Sequence, residues 1–595
     1  MSRRIADDAR FLPLLAAGAI LFGIFAARDA TLLQAGTYAA IYGIAAIGLS
    51  VLLGNVAQIS IGQAGFFGIG AYSLGFLTAS VTWPAAVPPW MQYALGTLAA
   101  VALATLLGLI LGFIALRFRG HYLAMATLAF GLICVGVFRE SKALGGASGI
   151  TGIPFPQFGG LAISGRASFW FVWLVVAAVA LLTLNLLRGR TGRAFEAIRN
   201  DELAAETVGV PTRRYKIFAF AFAGALAGLA GSLYASYLGL VDPSAVGVSL
   251  SIDLLLMVVL GGAGGVSGAL LGATLVAIAN IYGHDLENWR PVIYGVLVIV
   301  VVIAFPGGLA GLLRSGRRSR TTVLPLPDAA APLPARAPRA VTDSWLRVED
   351  ASKRFGGLLA VDGVSFGLAT GTLTSLIGPN GAGKTTLFNA ICGVGRVTSG
   401  RIFIADREVT DWRPHAIAAL GVGRSFQNAR LFADMTVLEN VIAGAFPLEH
   451  AGFASDLLGL PQSRRSERFA RERAADVLRL LGLERLAGTL ARDLAFGDRR
   501  RIELARAVAS DPGLLLVDEP AAGLNASERS RLREDLLALK AAGKTLLLIE
   551  HDMRLVMEIS DRVMVLRFGK LIADGTPEAV RNDPHVISAY LGTAS

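Results

Sequence analysis

The second half of the sequence contains the stretch Ser375-Leu-Ile-Gly-Pro-Asn-Gly-Ala-Gly-Lys-Thr-Thr386, in which Gly378 to Thr385 fits the spacing G-x-x-x-x-G-K-[ST]. Glycines at these positions let the backbone curl so that several amide N–H groups converge on the phosphates of a nucleotide. The apolar run from Leu373 to Ile377 predicts a strand before this turn. The residues from Thr385 onward predict a helix whose N-terminal dipole faces the anion.

The stretch therefore predicts a phosphate-binding loop that holds a nucleotide such as ATP. Lys384 is expected to reach the β and γ phosphates, and the Thr385 hydroxyl is expected to bind Mg²⁺. The predicted nucleotide-binding residues of the loop are Gly378, Pro379, Asn380, Gly381, Ala382, Gly383, Lys384, Thr385 and Thr386.

Three further segments supply the groups that ATP hydrolysis needs. Leu514-Leu-Leu-Val-Asp518 reads as a buried strand that ends in an acid, so Asp518 would hold Mg²⁺ through water. Glu519 follows directly and can polarise the attacking water. His551 ends another strand, at the edge where α/β sheets present ligands. Gln427 is a candidate to contact both Mg²⁺ and the attacking water, although the sequence alone also allows an ordinary surface glutamine.

Composition separates the chain into two unlike halves. The 595 residues are 54% hydrophobic and 17% charged, and the excess of apolar residues lies before residue 314. The length predicts more than one domain. A net charge of +11 is compatible with nucleic-acid binding, but Lys and Arg also collect on the cytoplasmic loops of membrane proteins, and we expect that origin and no nucleic-acid partner. The two cysteines, Cys134 and Cys392, predict neither a disulfide framework nor a metal site.

The first half contains a series of apolar stretches close to the roughly 20 residues that a helix needs to cross a bilayer. The first of them follows Met-Ser-Arg-Arg without a good cleavage site, which favours an uncleaved span over a signal peptide. The candidate spans are residues 11–27, 33–53, 60–81, 92–116, 121–138, 168–187, 217–240, 251–282 and 291–313.

The basic residues predict how these spans are oriented. Arg3, Arg4 and Arg10 place the N-terminus inside, and the basic loop 188–216 falls inside after the sixth span. The nucleotide-binding half can lie on the same side only if 251–282 folds as two short segments around the glycines of 261–268. We therefore expect about ten membrane segments, or eight full spans and a re-entrant hairpin. The glycine segment either lines the translocation path or only packs within the protein.

Two connecting segments complete the predicted organisation. In the loop 188–216, residues 194–208 predict a short amphipathic helix with Phe195, Ile198 and Val208 on its apolar face. Such a helix would lie against a soluble partner or cap the base of the membrane domain. Residues 314–343 are rich in Pro, Ala and Arg without hydrophobic periodicity, which predicts an extended linker.

The order of motifs in the second half resembles the ATPase domain of ABC transporters. The match comprises the phosphate loop, Gln427, Leu494-Ala-Phe-Gly-Asp498, Leu514 to Glu519, Gly523-Leu-Asn525 and His551. Phe355 occupies the position whose ring stacks on adenine in that family. The segments 550–561 and 584–592 resemble the ATPases of branched-chain amino acid importers in particular. The membrane half is similar to a permease subunit of the same system, at residues 45–54, 60–71, the loop from Gly192, and 260–268.

The resemblance implies a multi-domain fold: a polytopic α-helical membrane domain (1–313), the linker (314–343) and an α/β P-loop ABC ATPase domain (344–595). It also implies that a signature segment contacts ATP bound to an opposing ATPase domain. Here Ala495 lacks the hydroxyl of the usual serine, and Asp498 replaces the usual glutamine. Asn525 similarly replaces an aspartate. The signature residues are Leu494, Ala495, Phe496, Gly497 and Asp498.

The function implied by the resemblance is ATP-driven import of branched-chain amino acids across the bacterial cytoplasmic membrane, with Glu519, His551 and Gln427 as catalytic groups. Thr385, Gln427 and Asp518 would hold Mg²⁺. The expected partners are a second permease and a second ATPase (or another copy of the chain), an extracytoplasmic substrate-binding protein, membrane lipid and the small amino acid itself. Urea or small amides are alternative cargoes. An exporter half-transporter and a regulatory ABC ATPase that transports nothing are the alternative functions.

Overall fold

The structure is a computed structural model of the chain. It describes residues 29–591 except 119, 159–160, 283–288, 306 and 316–343, together with a few isolated positions before residue 29. Most of the predicted first span, most of the predicted linker, and the basic residues Arg3, Arg4 and Arg10 lie outside the described residues. The chain divides into two compact units, which are described separately below. Unit 1 comprises residues 1–199, 213–320 and 453–460, and unit 2 comprises residues 200–212, 321–452 and 461–595.

Helices dominate unit 1 among the residues that the structure describes. The long ones are apolar on most of their surface, as expected of segments that bury their backbone hydrogen bonds within one helix. Those of the first half are α1 Ala30–Ser50, α2 Gln63–Gly75, α3 Pro89–Ala115, α4 His121–Glu140, α5 Arg166–Arg188, α6 Arg190–Asn200, α7 Glu202–Thr207, α8 Thr212–Leu238, α9 Val248–Gly261, α10 Val266–Tyr282, α11 Arg290–Ala304 and α12 Gly308–Ser315. Of these, α7 belongs to unit 2.

Five of the described helices are long and apolar enough to cross a membrane, namely Ala30–Asn55, Pro89–Ala115, His121–Glu140, Arg166–Arg188 and Thr212–Leu238. The first combines α1 with a π-helical turn, Val51–Asn55, and α2 continues as a second π-helical turn, Phe76–Ser80. Short strands connect helix ends: β1 Ile150–Thr151 pairs with β4 Leu240–Val241, and β2 Gln157–Phe158 pairs with β3 Leu161–Ala162.

Two glycine-containing segments interrupt the helices. The stretch 251–282 forms two helices, α9 and α10, on either side of residues 262–265. The expected single span 291–313 is wrong in detail, because the chain leaves the helix after Ala304 and a new helix, α12, begins at Gly308. Gly308 has a φ of +65°, which is incompatible with a continuous α-helix through this position. A residue with a side chain rarely adopts this value.

Unit 1 also contains a short helix from the second half of the sequence, α16 Phe453–Leu457. The Phe453 ring stacks on Phe218 with centroids 4.2 Å apart and meets Tyr215 edge-on at 4.8 Å. The buried Asp456 carboxylate accepts hydrogen bonds from the Thr191 backbone N–H at 2.8 Å and from its hydroxyl at 2.6 Å. A charge-assisted pair and a stacked ring therefore fix this helix within unit 1.

Unit 2 is an α/β domain built on two sheets. Its remaining strands are β5 Ser344–Phe355, β6 Leu358–Ala369, β7 Leu373–Ile377, β8 Ser399–Ile404, β9 Arg407–Glu408, β10 Val422–Arg424, β11 Leu514–Asp518, β12 Thr545–Ile549, β13 Arg562–Arg567 and β14 Lys570–Gly575. Its helices after the linker are α13 Lys384–Ile391, α14 Pro414–Leu420, α15 Val437–Gly444, α17 Pro461–Leu480, α18 Phe496–Ala509, α19 Ala526–Ala541, α20 Met553–Ile559, α21 Pro577–Arg581 and α22 Pro584–Leu591.

The larger sheet has the order β10-β11-β12-β7-β13-β14, and its first five strands are parallel. The smaller, antiparallel sheet has the order β6-β5-β8-β9. The central strands β7, β11 and β12 are fully buried, as parallel strands covered on both faces are. Their carboxyl ends therefore share one edge. The multi-domain architecture predicted from the sequence, a helical unit and an α/β domain, is confirmed.

The loop 188–216 contains two helices where one amphipathic helix is expected over 194–208. α6 ends at Asn200, and the Asp201 carboxylate caps α7 by accepting a hydrogen bond from the Ala204 N–H. Phe195 and Ile198 are buried in unit 1, and Val208, which follows α7, is buried in unit 2. The break at Asp201 is a capping effect, since an aspartate at this position satisfies an N–H that the new helix leaves unpaired.

Candidate nucleotide site

The phosphate-loop stretch forms a tight turn between β7 and α13. Gly378 has a φ of +150°, and a Cβ there would lie 2.1 Å from the Leu566 carbonyl oxygen. Gly383 has a φ of +101°, and a Cβ there would lie 2.1 Å from the Ala360 carbonyl oxygen. Only glycine fits such positions. The turn therefore brings its backbone amides to the N-terminus of α13, an arrangement suited to an anion.

Lys384 is the first residue of α13 and is only 5% exposed. Its ammonium donates hydrogen bonds to the carbonyl oxygens of Gly378 at 2.8 Å and Pro379 at 3.0 Å, so the side chain folds over the loop. Burial lowers the pKa of Lys384, while the carboxylates of Glu519 and Asp518 act in the opposite direction. A buried cation beside converging amides is what recognition of a polyphosphate requires.

Asp518 ends β11 at the same edge of the sheet and is 1% exposed. Burial raises its pKa to about 6, and Arg424, on the neighbouring strand β10, is the strongest influence that lowers it. At neutral pH the carboxyl group is thus mostly ionised.

Glu519 is held between two of the predicted catalytic partners. Its Oε2 accepts a hydrogen bond from Gln427 Nε2 at 2.8 Å, and its Oε1 lies 2.7 Å from His551 Nε2. Its backbone N–H donates to the Ile549 carbonyl oxygen, and its φ is +45°, an uncommon value for a residue with a side chain. The backbone strain and the two side-chain bonds together orient this carboxylate.

The oxygen donors of this site fit Mg²⁺, a hard cation that prefers carboxylate, hydroxyl and amide oxygens. The buried Oδ1 atom of Asp518 has no hydrogen-bond partner among the residues that the structure describes, so it can accept from a metal-bound water. Thr385 lies directly after Lys384, and Gln427 is bonded to the neighbouring Glu519. The described residues contain no cluster of three or more His, Cys, Asp and Glu side chains that would hold a metal by itself.

Four buried charged residues beside the site are not identified by the sequence analysis. Arg424 donates to the Asn389 side-chain oxygen at 2.7 Å, and Arg500 donates to the Phe426 carbonyl oxygen at 2.9 Å, next to Gln427. Glu503 and Arg506 lie deeper and are each 1% exposed. The sequence does contain a regular pattern, because charged residues recur in α18 every three positions (Arg500, Glu503, Arg506). Such a pattern normally predicts an exposed helical face, whereas these three residues are buried.

The predicted adenine-stacking residue, the signature residues and Asn525 have contacts of their own. The Phe355 ring is 55% exposed, with Lys353 Nζ 5.0 Å from its centroid. The signature residues surround the start of α18, where Ala495 is the N-cap and makes no side-chain capping bond. Phe496 packs near Gly523, and Gly497 lies against the Glu528 side chain. Asn525 caps α19 reciprocally with Glu528, which gives this departure from aspartate a structural role.

Family models match segments in both halves of the chain. Residues 31–305 match the family model of the branched-chain amino acid transport system permease component. Residues 361–522 match the ABC transporter model, and residues 570–595 match that of the branched-chain amino acid ATP-binding cassette transporter.

Individual proteins resemble the second half of the chain. The high-affinity branched-chain amino acid transport ATP-binding protein LivG of Salmonella typhimurium is 47% identical over 250 residues, which are 42% of this chain and 98% of LivG. The corresponding protein BraF of Pseudomonas aeruginosa is 46% identical with the same coverage. A crystal structure of a nucleotide-free ATP-binding cassette from an ABC transporter is 33% identical, with a TM-score of 0.37 over 42% of this chain and 99% of that one.

Proposed function

The chain belongs to the branched-chain amino acid ABC transporter family, with a permease domain and an ATP-hydrolysing cassette in one polypeptide, and on that premise we propose that it is an importer. ATP-driven transport follows from the family. The inward direction, the cargo, Mg²⁺ as the metal and the bacterial cytoplasmic membrane as the location are parts of the proposal. The cargo is a branched-chain amino acid, with related small amino acids or amides as the nearest alternatives.

One observation carries the enzymatic part of the proposal: Glu519 bonded to both Gln427 and His551 beside the buried Asp518. Lys384 and the loop amides would hold the phosphates, and Asp518 and Thr385 would hold the metal. Glu519 orients the attacking water and accepts its proton, while His551 and Gln427 fix the Glu519 carboxylate. When bound, ATP supplies the γ-phosphoryl group for transfer to water, and Mg²⁺ neutralises charge on the phosphates. Phe355 contacts the adenine.

A chain of contacts supports coupling of this site to the loop 188–216. Asp201 pairs with Arg430 at 2.8 Å, and the Arg430 N–H donates to Glu503 at 3.0 Å. Glu503 lies within electrostatic range of Arg500, which donates to the carbonyl oxygen of Phe426, the residue before Gln427. Movement of Gln427 at the γ-phosphate would thus be transmitted to Asp201 and to the helix it caps. The loop 188–216 is therefore proposed to act as the coupling element.

The proposed assembly provides a second ATPase domain, whose signature segment completes the nucleotide site. The signature of one ATPase domain, Leu494 to Asp498, closes over the ATP held by Lys384 of a second one. The chain therefore pairs with another permease and another ATPase, or with a second copy of itself. An extracytoplasmic binding protein delivers the cargo. The N-terminus and the ATPase domain lie on the cytoplasmic side, and lipid surrounds the spans.

Reconstitution tests the function. The chain is incorporated into proteoliposomes with ATP on the side of the ATPase domain, and labelled leucine is offered on the other side with the cognate binding protein. We expect uptake that requires both ATP and the binding protein. Transport in the opposite direction would establish the exporter alternative, and ATPase activity that no solute or binding protein changes would establish the regulatory one.

A further inference from the structure

Both backbone polar groups of Phe426, the residue before Gln427, are bonded to side chains of α18. The Phe426 carbonyl oxygen accepts a hydrogen bond from Arg500 at 2.9 Å, and its N–H donates to the Glu503 carboxylate. Arg500 is 6% exposed and Glu503 is 1% exposed, so bulk water does not compete for these bonds. Hydrogen bonds to charged groups are among the stronger ones in proteins, and these two fix the direction in which the chain enters Gln427.

The same helix holds the chain after Gln427. The Arg430 N–H donates to Glu503 at 3.0 Å, and the Arg430 carbonyl oxygen accepts from Arg506 at 2.7 Å. The three charged residues of α18 follow one another at intervals of three and therefore share one face of the helix. The segment 426–430 is thus fixed at both ends by a single helix.

A small cavity lies beside these contacts. Its volume is about 10 Å³, and its lining includes Ser425, Arg500 and Pro520, the residue that follows Glu519. Ser425 Oγ and Arg500 Nε have no hydrogen-bond partner among the residues that the structure describes, although the two residues are only 5% and 6% exposed. An interior water occupies roughly 10–15 Å³ and needs at least two polar partners. The cavity and these two atoms therefore fit one water molecule, which would accept from Arg500 Nε–H and donate to Ser425 Oγ.

We propose that two side chains of α18, Arg500 and Glu503, position Gln427 for ATP hydrolysis, and that one structural water in the cavity completes their arrangement. The inference rests on the proposed function, because it assumes that Gln427 helps to fix the Glu519 carboxylate. Gln427 contacts Glu519 directly, whereas Arg500 and Glu503 act only through the backbone beside Gln427. They are positioning residues, so their loss should slow turnover more than it weakens ATP binding.

The positioning role is tested by a double-mutant cycle in which ATP turnover of the full-length chain is measured in proteoliposomes. Arg500→Gln should lower kcat at least about tenfold and change the KM for ATP less than about threefold, because the lost bond orients Gln427 and does not touch the nucleotide. Arg500→Lys can still donate to the Phe426 carbonyl oxygen and should recover all but about threefold of the loss. Arg531→Gln, at an exposed position of α19, is the matched control and should leave kcat within about twofold.

The cycle then repeats Arg500→Gln in the Gln427→Ala chain. A positioning residue has nothing left to orient there, so the further loss of kcat should be less than about twofold. A further loss as large as in the parent chain would show that Arg500 acts independently of Gln427 and would overturn the proposal. The same pattern is expected with the milder Arg500→Lys, which keeps the proposal testable if thermal unfolding shows that Arg500→Gln destabilises the domain.

The structural water has a test of its own. A cryo-EM map of the full-length chain that resolves ordered waters should contain one peak within hydrogen-bond distance of both Ser425 Oγ and Arg500 Nε. Ser425→Ala removes one partner of this water and should lower kcat about two- to tenfold. A map without that peak, or an unchanged kcat in Ser425→Ala, would overturn the water site.

The outcomes separate this inference from the proposed function. If Gln427→Ala alone leaves kcat unchanged, the catalytic role of Gln427 fails, and its positioning by α18 fails with it. If Gln427→Ala lowers kcat but the loss from Arg500→Gln is the same with and without Gln427, only the positioning role fails. Cargo and binding protein are absent from these assays, so the direction of transport does not affect the result.

Discussion

The phosphate loop of unit 2 and the glycine segment 261–268 of unit 1 resemble each other in sequence and differ in use. In both, glycine permits a close approach of backbones: a Cβ at Gly378 would lie 2.1 Å from the Leu566 carbonyl oxygen, and one at Gly261 would lie 1.8 Å from the Gly268 carbonyl oxygen. In the phosphate loop, however, a Cβ at Gly381 would meet nothing within 4 Å. The phosphate loop therefore packs closely at Gly378 and is open at Gly381, whereas the segment 261–268 is enclosed by neighbouring backbone.

The difference bears on the two interpretations of the hairpin between α9 and α10. The turn contacts backbone from other helices, since a Cβ at Gly54 would lie 2.0 Å from the Gly264 nitrogen and one at Gly308 would lie 2.4 Å from the Gly262 nitrogen. Ser50 fixes it further by accepting from the Gly264 N–H and donating to the Gly265 carbonyl oxygen. These contacts favour a packing role over a wall of the translocation path.

The largest effect is expected from Glu519→Gln, which tests whether the nucleotide site that includes the phosphate loop hydrolyses ATP. The amide keeps the shape of the side chain but cannot accept a proton, so ATP turnover should fall about 10²- to 10⁴-fold while ATP binding persists. Steady-state phosphate release and equilibrium binding of labelled ATP measure the two quantities. Glu534→Gln, at an exposed position of α19, is the matched control. Turnover within tenfold of the parent chain would contradict the assigned role.

Gly378→Ala should have the next largest effect. A φ of +150° is essentially restricted to glycine, and the added methyl group collides with the Leu566 carbonyl oxygen. The loop must rearrange, and we expect ATP affinity to fall roughly a hundredfold. Isothermal titration with a non-hydrolysable ATP analogue measures the change. Unchanged affinity would show that the observed loop conformation is not the one that binds nucleotide.

Gly261→Ala is the counterpart in unit 1. The methyl group would overlap the Gly268 backbone, so the free energy of unfolding should fall by about 1–3 kcal/mol, with ATP affinity unchanged. Thermal unfolding in detergent should show a decrease of several degrees. Gly136→Ala is the control, because a Cβ at Gly136 meets nothing within 4 Å. Equal stability of the two variants would contradict a packing role for the segment.

Gly381→Ala should have the smallest effect. It separates the cost of an unfavourable backbone conformation from the cost of a steric clash. Its φ is +81°, which costs alanine about 1–2 kcal/mol, but the surroundings of the new methyl group are open. We expect ATP affinity to fall by about five- to thirtyfold, measured by the same titration as for Gly378→Ala. A loss as large as that of Gly378→Ala would show that ATP affinity depends on the backbone conformation of the loop rather than on its close contact with β13.

The nucleotide site could be predicted largely from sequence because its residues follow buried strands. Lys384, Asp518 and His551 come after β7, β11 and β12, and adjacent parallel strands bring them to one edge. Arg424 and the buried charges of α18 could not be predicted in the same way, since their burial depends on elements far away in sequence. The break after Ala304 also escaped prediction, because hydropathy averages over the few residues that interrupt a helix.

The contacts of α16 could not be predicted for the same reason, because they depend on residues far away in sequence. Asp456 bonds Thr191, which lies 265 positions earlier, and local periodicity carries no sign of such a distant partner. The pattern of residues 453–460 alone would favour a surface segment of the α/β domain.

The membership of residues 453–460 in unit 1 has a consequence for biosynthesis. A ribosome adds about 5–20 residues per second, so roughly ten to fifty seconds pass between the emergence of Arg213 and that of Phe453. Throughout that interval the faces of Tyr215 and Phe218 that receive Phe453 are without their ring partner, and Thr191 is without its carboxylate. The first unit is thus completed only after much of the second has been translated, which makes the order of the two halves in the gene part of the folding process.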